Sequence, residues 1–164
     1  MKQLILIRHA KSDWGNPGLD DFDRPLNERG KKDAPIMAQK LKDRKIPVDA
    51  FIASPAKRAA KTAKIFAETF KRDKEDIIFK EELYMAGLTT FFDVIEKTDN
   101  NFTTIAIFSH NNGITEFANR LAAVRIDNMP TCSIFAVKVH CDNWVDFRKA
   151  NKEFLFFDYP KAGG

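Results

Sequence analysis

The sequence predicts an α/β fold, a single domain with a mostly parallel central sheet flanked by helices. Three observations carry that prediction. Short, uninterrupted apolar runs at residues 4–7 and 105–108, within candidate strands 3–7 and 103–108, have the composition of strands covered on both faces, as parallel strands are. Segments with apolar residues at helical spacing lie between such runs, so strand and helix alternate. No internal repeat and no Ser/Gly/Pro-rich linker divides the 164 residues, a length that suits one domain over residues 1–164.

In order, residues 3–7 form the first strand. Residues 11–24 follow as a long polar loop holding Gly15, Pro17, Gly18 and four Asp residues. Asn27 is placed to cap a helix running to about residue 44, with Ala34, Met37, Ala38 and Leu41 on one face. Pro35 lies inside that pattern and leaves the helix start open, because Pro prefers the first turn. Residues 50–53 are a short strand. Ser54 followed by Pro55 reads as a helix start, a hydroxyl cap and then Pro at the first helical position. That helix runs to about residue 71 with a stripe of Ala59, Ala63, Phe66 and Phe70. Residues 77–79 predict a further strand, 88–97 a helix, 103–108 the second buried strand and 114–123 a helix. Residues 133–140 and 144–148 read as a closing pair of strands joined by a turn containing Asp142 and Asn143.

Composition excludes several classes. Hydrophobic residues make up 44% and charged residues 30%, which is the globular range. A chain of this size buries roughly two thirds of its unfolded surface and needs no metal or disulfide to hold a core. The 15 Phe residues, lacking a polar handle, belong mostly to that core. No apolar run approaches the roughly 20 residues of a membrane-spanning helix, and the N-terminus does not read as a signal peptide. Cys132 and Cys141 are too few for a disulfide scaffold and read as reduced thiols of a cytoplasmic protein. Basic residues number 27 against 23 acidic, a formal charge of +4. The charge clusters at residues 40–45 and 71–74 read as solvated helix faces. Aromatic residues do not alternate with the basic ones, which argues against a stacking platform for nucleic acid. A weakly positive field suits an anionic substrate.

Ligands of open α/β sheets sit beyond the carboxyl ends of the strands. Three segments fall there: Arg8-His9, Ser54-Pro55-Ala56-Lys57-Arg58 and Ser109-His110. They contain no Cys or carboxylate, so a zinc site fits poorly. HExxH, CxxC, Walker-A and GxGxxG motifs are absent. Two guanidiniums match the geometry of phosphate oxygens and keep their charge. The opening turn of the helix after Ser54 adds free N–H groups and a positive dipole end. A neutral imidazole held at one nitrogen can attack phosphorus with the other. The set therefore reads as a phosphoryl-transfer site in which positioning and charge neutralisation supply most of the rate.

The segment Leu6-Ile7-Arg8-His9-Ala10-Lys11-Ser12 resembles the Arg-His-Gly/Ala motif of the histidine phosphatase superfamily, the phosphoglycerate mutase-like proteins. Arg24-Pro25-Leu26-Asn27-Glu28-Arg29-Gly30, the segment from Ser54 to Ala63, and Ser109-His110-Asn111 match further motifs in the same order. The short chain, Ala10 after His9, and Asp21-Phe22-Asp23-Arg24-Pro25-Leu26 resemble the SixA-type phosphohistidine phosphatases, over residues 3–125. The resemblance implies a phosphoglycerate mutase-like fold and a hydrolase that uses no metal and no cofactor. It makes His9 the nucleophile and assigns Arg8, Arg58 and His110 to the phosphoryl group. Larger relatives carry a carboxylate acid in a segment like Glu81-Glu82-Leu83-Tyr84, so Glu82 is the candidate acid, with an Asp of residues 20–23 as the alternative. Lys11, Ser12 and Asn111 are candidate substrate contacts. Asn112 departs from the His-Asn-Pro often found in SixA-type proteins, while Gly113 is retained.

Outside these motifs, Arg24 and Arg29 either shape the pocket rim or form surface ion pairs, Trp14 is a lid anchor or a packing residue, and His140 is structural or exposed. An alkyl phosphate expels an alkoxide and needs a proton donor. A phosphohistidine expels an imidazole with a conjugate-acid pKa of about 6.5, whose nitrogen can be protonated beforehand. The expectation is therefore a phosphatase acting on phosphohistidine of a signalling or phosphotransfer protein through phospho-His9. A small-molecule phosphomonoester phosphatase is the alternative. A non-catalytic phosphate-binding module is an alternative of another class, against which the intact His9 and both arginines argue. The expected partner is a phosphohistidine-bearing protein or a small phosphorylated molecule, with no nucleic acid and no membrane, and the chain is expected to act as a monomer.

Overall fold

In the computed structural model, which describes residues 1–161, the first apolar run becomes strand β1 (Lys2–Arg8). The chain continues through helix α1 (Glu28–Asp43), strand β2 (Ala50–Ala53), helix α2 (Lys57–Thr69), strand β3 (Ile78–Phe79) and helix α3 (Leu88–Glu96). Strand β4 (Thr104–Ser109), helix α4 (Gly113–Leu121), strand β5 (Ile134–Val139) and strand β6 (Lys152–Asp158) complete it. The six strands form one sheet in the order β3-β2-β4-β1-β5-β6. The first four in that order run parallel, and β5 and β6 join antiparallel at one side.

The uninterrupted apolar runs have a simple cause: neither face of the central strands meets water. Ile5 and Ile7 point toward α1 and α2, where Ala34, Met37, Ala63 and Phe66 close one core. Leu4 and Leu6 point the other way, into a core with Phe91, Phe117 and Trp144. Both cores are fully withdrawn from solvent at these positions. Among the described residues, no helix is long and apolar enough to cross a membrane.

Parallel pairing also fixes where the site lies. Arg8 is in register with Ser109, and Ala53 with Phe108. The residues leaving β1, β2 and β4 therefore emerge side by side. The His9 amide donates to the Ser109 carbonyl at 3.1 Å and the Ser54 amide to the Phe108 carbonyl at 3.0 Å.

Three local expectations differ from the structure. Ser54 does not cap α2, which begins at Lys57 with Ala56 in the capping position and no side-chain cap. The Ser54 hydroxyl instead accepts the Ala56 amide, at 3.2 Å, and meets His110. Pro35 does not mark a helix start. Helix α1 begins at Glu28, where the Asn27 side chain accepts the Gly30 N–H at 2.8 Å. Pro35 lies on the exposed face of the helix, so the backbone carbonyl deprived of its donor is beside water. Residues 144–148 are not a strand but open in a 3-10 turn, Trp144–Asp146. Trp144 is buried with its indole N–H on the Phe102 carbonyl at 2.8 Å, and that anchor holds the segment off the sheet. The partner of β5 is β6, whose Phe154-Leu155-Phe156-Phe157 run supplies the apolar side chains.

Candidate active site

At the carboxyl ends of β1, β2 and β4 lies a cavity of about 390 Å³. Arg8, His9, Arg58, His110, Lys11, Ser12 and Asn111 all line it. These positions lie as much as 103 residues apart, Arg8 to Asn111, and the sheet register brings them together.

His9 is buried directly after β1. Its Nδ1 lies 2.7 Å from the Ala10 carbonyl oxygen. A carbonyl only accepts, so Nδ1 carries the ring proton and Nε2 is left with its lone pair. Burial, opposed in part by the Ala10 contact and reinforced by His110 and the two arginines, pushes the His9 pKa down to about 3. The ring is thus neutral around pH 7, with Nε2 turned toward Arg58, whose Nε is 3.4 Å away.

The His9 and His110 ring centres are 5.0 Å apart. His110 Nε2 lies 2.8 Å from Ser54 Oγ. The buried Ser54 hydroxyl also accepts the Ala56 amide. His110 Nδ1 is buried and has no protein partner. With Ser54 donating to Nε2, a neutral His110 would carry its proton on Nδ1 and offer it to an anion in the hollow. Burial, with Arg58 next, lowers His110 to about 3 as well.

Arg58, the second residue of α2, is 5% exposed. It donates from Nη1 to the Asp21 carbonyl at 2.6 Å and from Nη2 to Asp21 Oδ2 at 2.9 Å. Arg8 donates from Nη1 to the Met129 carbonyl at 2.8 Å, and its buried Nε is unpartnered. Arg24 is a third guanidinium on the cavity. It holds Asp21 Oδ1 at 2.9 Å and the Ser12 hydroxyl, and its plane covers the Trp14 ring at 3.5 Å. Arg24 therefore belongs to the pocket, and Trp14, 72% exposed, stands at its mouth. Arg29 lies outside the lining and pairs with Asp33 at 3.4 Å. His140 is exposed beside Glu153.

The cavity has one carboxylate in its lining, and it is not Glu82. Glu82 is exposed on the 3-10 turn Glu81–Leu83, outside the lining. That turn instead delivers Tyr84 and Met85. The lining carboxylate is Asp21, whose Oδ2 accepts the Tyr84 hydroxyl at 2.5 Å. Tyr84 first, then Arg58 and Arg24, hold Asp21 well below the usual carboxylate range. The same hydrogen bond raises Tyr84. The sequence signal for Asp21 and Arg24 was the Asp-Phe-Asp-Arg-Pro-Leu segment. Nothing local marks Tyr84, which meets Asp21 across 63 positions.

Two glycines let the loops close on the site. A Cβ on Gly30 would come within 2.1 Å of the Lys11 carbonyl oxygen, and one on Gly113 within 2.1 Å of the Ala86 carbonyl oxygen. Asn111 is held by Thr115 and Asn128. Asn112, the departure noted in the sequence, is exposed and outside the lining.

The arrangement is a hollow rich in positive charge with a neutral imidazole at its floor. Such an arrangement is suited to nucleophilic attack on a tetrahedral oxyanion.

The sequence model of the histidine phosphatase superfamily (branch 1) matches residues 4–84. An uncharacterised chloroplast protein of Arabidopsis thaliana is 30% identical over 151 residues, covering 87% of this chain and 69% of that protein. Phosphoserine phosphatase 1 of Hydrogenobacter thermophilus is 37% identical over 106 residues, 62% of this chain, but the match spans only 49% of that enzyme. Among solved structures, the protein histidine phosphatase SixA complexed with tungstate superposes with a TM-score of 0.81 at 19% identity, covering 96% of this chain and 97% of that one. That likeness is one of fold.

Proposed function

The chain belongs to the histidine phosphatase superfamily, and from that premise we propose that it removes the phosphoryl group from a phosphohistidine on a protein, through a phospho-His9 intermediate. The observation that carries the reading is the state of His9, neutral, fixed at Nδ1 by the Ala10 carbonyl, and sharing its cavity with Arg8, Arg58 and His110.

In the first step, His9 Nε2 bonds to phosphorus while the P–N bond to the substrate imidazole breaks. The substrate ring, protonated at its remote nitrogen, departs as neutral histidine. His9 keeps its proton on Nδ1 and becomes a phosphoimidazolium braced by the Ala10 carbonyl. Arg8, Arg58 and the His110 Nδ1–H hold the phosphoryl oxygens in line. In the second step, water bonds to phosphorus, the His9 P–N bond breaks, and both water hydrogens leave on the phosphate. His9 returns to its starting tautomer. Three cationic or N–H groups meet the phosphoryl charge, so this mechanism routes nothing through a metal.

Asp21 supports the substrate class. The carboxylate on the cavity is tied to Arg58, Arg24 and Tyr84 and held ionised. No carboxylic acid stands ready to protonate an alkoxide, whereas exchange of one imidazole for another needs none. The likeness in fold to a protein histidine phosphatase points the same way, and the two free thiols fit a cytoplasmic setting. A small phosphomonoester is the second reading, favoured by the 37% identity to a phosphoserine phosphatase.

The test is a comparison of kcat/KM for a histidine-phosphorylated protein, free phosphoserine and an aryl phosphate, with and without EDTA. The phosphohistidine protein is expected to lead by at least about 100-fold, a gap of about 2.7 kcal/mol in transition-state stabilisation, unchanged by the chelator. A lead for phosphoserine would replace this reading with the second.

A further inference from the structure

A second hollow, of about 430 Å³, lies between α1 and α2. Leu26 and Ala60 give it an apolar floor, and Lys31, Lys57, Lys61 and Lys64 surround it. It adjoins the active site along both edges. Pro25 lines this groove while its neighbour Arg24 lines the catalytic cavity, and Lys57 lines the groove while Arg58 lines the cavity.

Local ion pairing does not account for these lysines. Lys57, Lys61 and Lys64 share one face of α2 at helical spacing and are exposed. Among the described residues they pair with no acidic side chain. Lys31 has only the exposed Glu28, at 3.7 Å. The first turn of α2 holds no acidic residue. Acidic residues stabilise a helix N-terminus and cationic ones oppose its dipole, so Lys57 sits where the helix alone would select against it. An apolar floor inside a charged rim has the anatomy of a protein-binding patch. No aromatic residue lines the groove, so it offers no stacking surface for bases.

We propose that this groove docks an acidic segment of the protein that carries the phosphohistidine, its carboxylates meeting Lys31, Lys57, Lys61 and Lys64 and an apolar side chain resting on Leu26 and Ala60. The proposal rests on the phosphohistidine-protein reading above and adds what selects the partner. Rim charges of this kind act mainly on encounter, and so on kcat/KM rather than on kcat.

The experiment uses two substrates phosphorylated with phosphoramidate: a histidine-phosphotransfer domain of net negative charge, and a short uncharged phosphohistidine peptide. The enzymes are the native chain, the double variant K61E/K64E, and a control, K97E/K149E, whose exposed lysines lie outside the groove. K61E/K64E is expected to lose about tenfold or more in kcat/KM on the acidic domain, with kcat on that domain and kcat/KM on the peptide unchanged. The control is expected to match the native chain. Equal kcat/KM on the domain for native and K61E/K64E enzymes overturns the docking proposal and leaves the activity standing, as does an equal loss on domain and peptide. A groove that binds single-stranded RNA in a gel shift, with no preference for the domain over the peptide, overturns the protein assignment. Failure of the native chain to hydrolyse either substrate overturns both this proposal and the reading beneath it.

Discussion

Asp21 is the residue on which the proposed chemistry turns most unexpectedly. Its carboxylate and carbonyl take both terminal nitrogens of Arg58, the same groups assigned to the phosphoryl oxygens. An arriving phosphate must therefore displace or share an anion already in place. Replacing that charge while keeping the shape should favour oxyanions. Asp21→Asn is expected to tighten inhibition by inorganic phosphate by about fivefold, in line with the worth of a partly exposed charge pair. Weaker inhibition would mean that Asp21 serves chiefly to aim Arg58. The acid question was only half legible in the sequence. The Asp20 to Asp23 loop was recognisable as a source of carboxylate, but Glu82 had the better motif. What separates them is tertiary: Arg58 reaches Asp21 across 37 positions and Tyr84 across 63, and no local pattern encodes either contact.

The secondary-structure elements carry the site through close backbone approach. The first turn of α1 presses on the loop after β1 at Gly30, and the first turn of α4 presses on Ala86 at Gly113. An added methyl at either place meets a backbone carbonyl, which cannot swing aside as a side chain can. Gly30→Ala is expected to cost about 2–3 kcal/mol, the range for overpacking a filled contact, seen as a lowered midpoint in urea unfolding with unchanged slope. A loss below about 0.5 kcal/mol, the scale of an ordinary surface change, would mean the helix shifts freely. Strands β1, β2 and β4 were readable because burial on both faces leaves an unbroken apolar run. The closing strand was misplaced because Trp144 looks like a strand residue locally, while its real constraint is the Phe102 carbonyl 42 positions away. Ser54-Pro55 resembled a cap because the same hydroxyl chemistry serves either a helix or a neighbouring imidazole.

For the molecule as a whole, the site imposes a pH-dependent cost. His9 and His110 are pushed to about 3 in the folded state, against about 6.5 when unfolded. Above pH 6.5 both states leave the rings neutral and the histidines contribute no pH dependence. As pH falls from 6.5 toward 3 the unfolded chain binds protons that the folded chain refuses, so stability declines through that window. Thermal midpoints are expected to fall across it, and the fall should be shallower in His9→Asn/His110→Asn, whose amides do not titrate. An unchanged slope in the double variant would show that other groups govern acid sensitivity. The same topology that creates this cost creates the site: three parallel strands end together and deliver two imidazoles to one hollow. The most direct test of the central claim is to trap the reacting enzyme under alkaline quench and locate the phosphoryl group by NMR and peptide mapping. The account predicts phosphate on Nε2 of His9, absent in His9→Asn. Phosphate on Nδ1 or on another residue, or turnover by His9→Asn at the native rate, would contradict it.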